Sequence, residues 1–245
     1  MINGGILFIT GANRGLGLAF VQEALRQGAS RIHAGARDVT SLAAVVALDP
    51  ARIHPVQIDV TAYADCLAAA RACADTTVLI NNAGVLHNYG GYVTRPDMAG
   101  IRREMYDNYY GVMQMCQAFA PELARNGGGG IINVLSILAL AATPVVGSYC
   151  ASKFAALALT RCLAAELAAQ GTRVLAALPA TIDTSMSADY PGPKDAPDFV
   201  ARTALEALEA GQPDVFIGPL SNAVALQCRE DPAGLARERA LMLPS

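Results

Sequence analysis

Short apolar runs alternate with segments of helical spacing along almost the whole chain. The runs are apolar throughout rather than alternating with polar residues, which is typical of strands buried on both faces of a sheet. They predict strands at residues 6–10, 31–35, 53–60, 78–81, 131–135, 173–178 and 215–218. The intervening segments predict helices at 14–27, 41–48, 63–74, 98–125, 149–170 and 198–210. This alternation predicts an α/β, doubly wound fold: a seven-stranded, mainly parallel sheet with helices on both faces.

Composition and charge exclude several other classes of protein. The chain has 245 residues, 53% hydrophobic and 16% charged, so it is too apolar to be disordered. Its formal net charge is −3 and it has no run of Lys or Arg, which argues against nucleic acid or an anionic membrane as the main partner. Because an α/β chain of this length is commonly one domain, we expect a single domain over residues 1–245.

The cysteines and the N-terminus indicate a reducing compartment. None of the six cysteines forms a C-x-x-C pair or a zinc-ligand spacing, so buried thiols are expected rather than a metal site. The longest charge-free stretch, 126–152, is broken by several glycines and by Pro144, and it does not predict a membrane span. The first residues lack the positive and apolar regions of a signal peptide. The sequence therefore predicts a cytoplasmic protein that needs no metal.

A glycine-rich turn joins the first predicted strand to the first predicted helix. Glycines let the backbone approach a pyrophosphate, and the helix N-terminus offers free N–H groups and a positive dipole end. The spacing differs from G-x-G-x-x-G, and a tight turn without a ligand is the alternative. Its place as the first β–α turn of an alternating chain favours phosphate binding. The candidate cofactor residues of this turn are Gly11, Asn13, Arg14, Gly15, Leu16 and Gly17.

Lysine usage points to a second candidate site. Of eighteen lysines and arginines, only Lys153 and Lys194 are lysines. Tyr149 precedes Lys153 by four residues, so the two side chains share one face of a predicted helix. An ammonium group beside a phenol lowers the pKa of the phenol and makes it a usable general acid/base, whereas an ordinary amphipathic helix with a solvated lysine is the alternative. Ser136 ends a predicted strand whose carboxyl edge should face the ligand crevice.

With these residues the chain resembles the short-chain dehydrogenase/reductase (SDR) family of Rossmann-type oxidoreductases, over residues 6–218. Residues 10–17 match the family's T-G-x-x-x-G-x-G turn, and residues 81–84 match N-N-A-G at the end of the fourth strand. Asn108 with Gly111 matches N-x-x-G. Ser136 matches the catalytic serine, and Tyr149 with Lys153 matches Y-x-x-x-K. All four motifs occur in the family's order.

The resemblance implies hydride transfer between a nicotinamide cofactor and a carbonyl or alcohol. Tyr149 would be the general acid/base, and Ser136 would hold the reacting oxygen by hydrogen bonding. Lys153 would lower the pKa of Tyr149 and bind the nicotinamide ribose. Asn108 would kink its helix and hold a water that feeds protons through Lys153. The chain would be one dinucleotide-binding oxidoreductase domain, with a substrate loop at about 185–197 and a C-terminal helical tail at about 220–243.

The resemblance also implies cofactor contacts after three further strands. Those after the third strand would contact the adenine, those after the fourth the adenine-ribose side, and those after the sixth the carboxamide. These residues are Asp59 and Val60, then Asn82, Ala83 and Gly84, then Pro179, Ile182 and Thr184. Ala180 stands where the family carries a glycine.

The end of the second strand bears on the choice of cofactor. NAD-preferring Rossmann sites place an acid there for the ribose 2′-OH, whereas this chain has Ala36 followed by Arg37. Arg37 and Arg14 together could clamp a 2′-phosphate. The sequence therefore favours NADPH. NADH is the alternative, with Asp38 holding a free ribose and Arg37 solvated.

The sequence thus predicts an NADPH-dependent carbonyl reductase that acts on a small-molecule carbonyl or alcohol and forms a homodimer or homotetramer. An NAD-dependent alcohol dehydrogenase of the same family and a non-catalytic dinucleotide-binding sensor are the alternatives. The short loop after residue 184 suggests an open pocket for a small to medium hydrophobic substrate. Its candidate lining residues are Leu138, Thr143, Val145, Val146, Met186 and Tyr190.

Overall fold

Seven strands form one sheet in the computed structural model, which describes residues 1–87, 89–93, 95 and 97–243. The strands are β1 (Ile6–Thr10), β2 (Arg31–Ala36), β3 (Ile53–Gln57), β4 (Val78–Asn81), β5 (Gly130–Val134), β6 (Arg173–Pro179) and β7 (Asp214–Ile217). Their order across the sheet is β3-β2-β1-β4-β5-β6-β7, and each neighbouring pair is parallel. The predicted α/β class is confirmed.

Helices cover both faces of this sheet. They are α1 (Gly15–Arg26), α2 (Ala43–Val46), α3 (Tyr63–Ala72), α4 (Met98–Met105), α5 (Gly111–Arg125), α6 (Gly147–Glu166), α7 (Pro197–Glu209), α8 (Pro219–Glu230) and α9 (Pro232–Ala240). One core cluster includes Phe20 of α1 and Leu205 of α7, and a second on the other face includes Phe8 of β1 and Phe119 of α5. Within the described ranges, no helix combines the length and apolar character needed to cross a membrane.

The winding of the sheet reverses between β1 and β4. The chain runs from β1 outward to β3 and then returns to place β4 on the other side of β1. The carboxyl ends of β1 and β4 are tied together because the Thr10 Oγ1 accepts the N–H groups of Asn82 and Ala83, each at 3.0 Å. The crevice beyond such a reversal is where open α/β sheets bind ligands.

Two elements differ from the sequence prediction by more than their end residues. β3 ends at Gln57 rather than at residue 60, because the Asp59 carboxylate accepts the N–H and the hydroxyl of Thr61 and turns the chain. The helix predicted at 41–48 is a 3₁₀ turn, Val39–Leu42, followed by the four residues of α2. Asp38 caps that 3₁₀ turn by accepting the Thr40 N–H at 2.9 Å.

The helix predicted at 98–125 changes its winding near the centre. α4 and α5 are joined by a π-helical turn, Tyr106–Tyr110, which contains Asn108. A π-helical turn inserts an extra residue and is a common cause of helix kinks. The irregularity expected at Asn108 is therefore present.

Buried polar contacts fix α6, the helix that carries Tyr149 and Lys153, against the sheet. The Asn133 Nδ2 on β5 donates to the Thr160 Oγ1 on α6 at 3.0 Å. The Asn133 Oδ1 accepts from the Asn81 Nδ2 on β4 at 2.8 Å. Because these groups lie inside the core, each would cost stability if its partner were lost.

Candidate active site

The glycine turn after β1 has backbone angles and close contacts that a side chain at its glycine positions would disrupt. Gly11 and Gly15 have positive φ angles of 64° and 53°, a region that favours glycine. A Cβ added at Gly17 would lie 2.0 Å from the Gly11 carbonyl oxygen, so this contact between turn and helix requires glycine. Arg14 precedes α1 without making a side-chain capping bond, which leaves the first N–H groups of the helix directed at the crevice.

A cleft of about 780 Å³ lies at the carboxyl edge of the sheet, next to this turn. Most of the residues predicted to bind a cofactor line it. These are Gly11, Asn13, Arg14, Gly15, Leu16, Gly17, Arg37, Val60, Asn82, Ala83, Gly84, Tyr149, Lys153, Ile182 and Thr184. The cleft therefore joins the glycine turn and the Tyr149 helix in one continuous space.

Two arginines and a buried acid lie near the carboxyl end of β2. Arg37, about half exposed, has its Nη1 3.9 Å from the Asp107 Oδ1. Asp107 is buried, lines the cleft and also accepts from the Arg103 Nε at 2.5 Å. The Asp38 carboxylate is engaged by Thr40, which donates from both its N–H and its hydroxyl. Arginine rather than a free carboxylate thus dominates this part of the lining.

Ser41 adds a hydroxyl to the same end of the cleft. Its Oγ accepts from the Asn13 Nδ2 at 3.1 Å and donates to the Asp38 carbonyl oxygen. It lines the cleft together with Arg14 and Arg37. The two guanidinium groups form a suitable donor set for a phosphate.

The other end of the cleft carries the predicted catalytic groups. Ser136, just after β5, is buried, and its Oγ accepts the Leu138 N–H at 3.1 Å. The Lys153 ammonium donates to the Val134 carbonyl oxygen at 3.0 Å and lies 5.6 Å from the centre of the Tyr149 ring. Strand β5 and helix α6 thus bring these side chains together.

The protonation of these groups is set mainly by burial. Burial raises the pKa of the Tyr149 phenol, and a hydrogen bond between Tyr149 and Ser136 opposes that rise. Burial lowers the pKa of Lys153 to about 8. In this arrangement the upward shift prevails at Tyr149, so the expected lowering of its pKa by Lys153 stays a prediction. The neutral phenol is the form that can donate a proton.

Asn108 lies behind the cleft and is fully buried. Its Nδ2 donates to the Val85 carbonyl oxygen at 2.9 Å and to the Ser152 Oγ at 3.0 Å, while its Oδ1 accepts the Val85 N–H at 2.9 Å. The side-chain amide therefore connects the π-helical turn to the loop after β4 and to α6. The water that Asn108 was expected to hold stays a prediction.

Several sequence-predicted residues lie outside the lining of the cleft. Asp59 uses its carboxylate on Thr61, and Pro179 is the last residue of β6. Ala180 has no positive φ, so this position does not need the family's glycine. Of the six expected substrate-lining residues, Met186 lines the described cleft.

Ser41, Asp107 and Glu104 were not predicted from the sequence. Ser41 contacts Asn13, Asp107 lies near Arg37, and Glu104 accepts the N–H of the cleft residue His87 at 2.8 Å. These contacts join residues far apart in the chain, and none of the three belongs to a short motif. Asp107 precedes the predicted Asn108, which was the only local signal available.

Comparison with known proteins agrees with this geometry. A family model described as short chain dehydrogenase matches residues 5–194. A 2-(S)-hydroxypropyl-CoM dehydrogenase 3 from Xanthobacter autotrophicus is 33% identical over 204 residues, covering 80% of this chain and 79% of the relative. The short chain dehydrogenase pigC from Monascus ruber is 32% identical, with 76% of this chain aligned. That alignment spans 65% of pigC, slightly less than two thirds of its length.

Solved structures lead to the same class. A short chain dehydrogenase from Burkholderia cenocepacia J2315, in complex with NADP, is 40% identical, has a TM-score of 0.92 and is covered over 100% of both chains. A short-chain dehydrogenase from Sphingobium yanoikuyae, in complex with NADPH, is 25% identical, has a TM-score of 0.78 and is covered over 98% of this chain and 96% of its own. The fold and the site therefore define an oxidoreductase with a Rossmann-type sheet. The chain belongs to the short-chain dehydrogenase/reductase family.

Proposed function

We propose that this protein is an NADPH-dependent oxidoreductase that interconverts a carbonyl and an alcohol, with Tyr149 as the general acid/base. The observation that carries the proposal is the shared cleft. Tyr149 and Lys153 line one end of it, next to Ser136, and the glycine turn with Arg14 and Arg37 lines the other. A reacting group held at Tyr149 can therefore belong to a ligand whose phosphates lie at the turn.

The residues present fit a dinucleotide. Gly15 and Gly17 line the cleft without side chains, so a pyrophosphate can approach the backbone there, and the N-terminus of α1 supplies N–H donors. Arg14 and Arg37 offer donors for a 2′-phosphate, which supports NADPH over NADH. Engagement of the Asp38 carboxylate by Thr40 weakens the NADH alternative. The NADP held by the Burkholderia relative supports the same choice.

When bound, NADPH supplies a hydride to the carbonyl carbon. Tyr149 donates its phenolic proton to the carbonyl oxygen, so that the hydride and the proton together convert the carbonyl to an alcohol. Ser136 donates a hydrogen bond to that oxygen, where negative charge develops. Lys153 binds the nicotinamide ribose and helps Tyr149 regain a proton, with Asn108 at the start of the proton path.

Further residues complete the proposed binding site. Val60 and Asp59 lie on the adenine side, and Asn82, Ala83 and Gly84 continue along the cleft. Ile182 and Thr184, which line the cleft, bind the carboxamide together with Pro179.

The proposed substrate is a small to medium hydrophobic ketone or aldehyde, or its alcohol. Exposed apolar and aromatic side chains occur in the loop after β4, at Tyr89 and Tyr92, and in the substrate loop, at Met186 and Tyr190. Exposed Tyr106, near α4 and α5, supports assembly into a homodimer or homotetramer. We place the protein in the cytoplasm.

The experiment has two arms on the same wild-type preparation. Fluorescence titration with NADPH and NADH should give a Kd about tenfold lower for NADPH, which is about 1.4 kcal/mol. A panel of ketones and aldehydes, including acetophenone, should then show oxidation of NADPH with formation of the alcohol. Equal or reversed affinities would favour the NAD-linked alcohol dehydrogenase. Tight NADPH binding without turnover across the panel would favour the sensor.

A further inference from the structure

One face of the helix before the π-helical turn carries an unusual set of residues. Gly100, Glu104 and Asn108 follow one another at intervals of four, so they share one face. All three are buried, and Glu104 and Asn108 have no exposed surface. A carboxyl group is rarely buried so completely without a specific task.

This face contacts the segment that follows β4. Asn108 pairs with both the N–H and the carbonyl of Val85. One turn earlier, the Glu104 Oε1 accepts the His87 N–H at 2.8 Å. A Cβ added at Gly100 would lie 3.3 Å from the His87 Cβ, so the glycine permits close approach at the same point. Val85 and His87, two residues apart, are therefore held by Asn108 and Glu104, which lie on successive helical turns.

The held segment forms one wall of the cleft. Gly84, Val85, Leu86 and His87 all line it, in the same space as Tyr149. The segment also approaches the ammonium of the catalytic lysine, because a Cβ added at Gly84 would lie 3.6 Å from the Lys153 Nζ. Displacement of this wall would change where a carbonyl substrate lies relative to the phenol.

The Glu104 carboxyl group also lies within electrostatic reach of the reaction centre. Its charge contributes, after burial and Cys150, to the raised pKa of Tyr149. It contributes in the same way to the raised pKa of Tyr89, farther along the segment. The charge of Glu104 therefore acts on both phenols, and its hydrogen bond to His87 places it next to the cleft wall.

We infer that Glu104 is a positioning residue that fixes the Gly84–His87 wall against Tyr149 and thereby sets the binding of the carbonyl substrate. The predicted effect on substrate binding rests on the proposed function, whereas the predicted effect on the His87 backbone does not. Glu104 acts through the His87 backbone and takes no part in the proton transfer itself.

The test compares Glu104→Ala, which removes the acceptor, with Glu104→Gln, which keeps an oxygen for the His87 N–H. Glu122→Ala, which removes another buried carboxyl group on α5, is the matched control. Because Glu104→Ala removes one hydrogen bond from the His87 amide, hydrogen–deuterium exchange at that amide should speed up about tenfold. In Glu104→Gln and Glu122→Ala the exchange rate should stay near that of the wild type. Glu104→Leu replaces the alanine variant if the latter does not fold.

The kinetic arm uses acetophenone and NADPH. Glu104→Ala should raise KM for acetophenone about tenfold while kcat changes much less, and Glu104→Gln should restore the wild-type KM. The Kd for NADPH should stay within about twofold of wild type, because the lost hydrogen bond is at His87, three residues beyond the proposed cofactor contact Gly84. Unchanged His87 exchange in Glu104→Ala, or equal loss in Glu122→Ala, would overturn the inference. Absence of wild-type turnover would instead refute the proposed function, and the exchange result would still decide the inference.

Discussion

The two ends of the cleft are built in different ways. The glycine-turn end is formed by the backbone of a few consecutive residues. Gly11 and Gly15 allow its positive φ angles, and Gly17 allows the start of α1 to pack closely against Gly11. The Tyr149 end is assembled from β5, α6, the loop after β4 and the π-helical turn. A local motif can encode the first kind of site because its geometry follows from neighbouring residues. The second kind depends on the packing of the whole sheet.

The Tyr149 end also differs in its exposure. Ser136 and Lys153 are buried and Tyr149 is partly buried, whereas Met186, which lines the same cleft, is exposed, as are Tyr89 and Tyr190 in the neighbouring loops. Exposed loops tolerate sequence change far better than a packed turn does. Cofactor binding should therefore be sensitive to backbone changes at one end, and substrate choice to side-chain changes at the other.

Among changes that affect cofactor binding and stability, the largest effect is expected from Gly17→Ala at the glycine-turn end. The added Cβ would lie 2.0 Å from the Gly11 carbonyl oxygen, so the backbone must shift. We expect a loss of about 3 kcal/mol in unfolding free energy, measured by urea denaturation. The Kd for NADPH should rise about 100-fold.

Gly127→Ala is the matched control, since Gly127 has a φ of 88° but open space around an added Cβ. It should cost only about 1 kcal/mol in backbone strain and leave NADPH binding intact. Wild-type NADPH affinity in Gly17→Ala would contradict the description of the turn.

An intermediate effect is expected from Arg37→Ala. Loss of a charged donor to the 2′-phosphate should raise the Kd for NADPH about tenfold and leave that for NADH unchanged. Fluorescence titration measures both. The exposed Arg71 on α3 provides the control, and Arg71→Ala should change neither affinity. A similar loss for both cofactors in Arg37→Ala would mean that Arg37 does not distinguish them.

The smallest effect concerns the pH dependence of stability at Lys153. Burial lowers its pKa to about 8 in the folded protein, below its value in the unfolded chain. The unfolded chain therefore binds more protons between about pH 8 and 10, and stability rises with pH in that window. Relative to Lys153→Met, the wild type should gain about 1 kcal/mol in unfolding free energy between pH 7 and 9. A difference in unfolding free energy between the two proteins that does not change from pH 7 to pH 9 would show that the Lys153 ammonium is well solvated.

Much of the fold could be predicted because apolar runs and glycines delimit the strands. β1 and β4 match their predicted bounds, β2 and β6 each extend one residue beyond the predicted end, and β5 and β7 are each shifted by one residue. β3 was predicted too long because the Asp59 turn with Thr61 interrupts an apolar run, which periodicity does not detect. The π-helical turn at Asn108 was likewise invisible to a 3.6-residue pattern.

The site was predictable only where its residues lie in short motifs. The motifs supplied Tyr149, Lys153 and the glycine turn, all of which line the cleft. Glu104 could not be found in this way, because its hydrogen bond to His87 joins residues seventeen positions apart. Ser41 was missed because its contact with Asn13 depends on how β2 pairs with β1.

The central claim is that Tyr149 transfers the proton, and Tyr149→Phe tests it most directly. Steady-state reduction of acetophenone should be measured beside the NADPH Kd of the same preparation. The account predicts that kcat falls about 1,000-fold, the usual size of a lost general acid, while the Kd stays within about twofold of wild type. Turnover at the wild-type rate with intact NADPH binding would contradict the account.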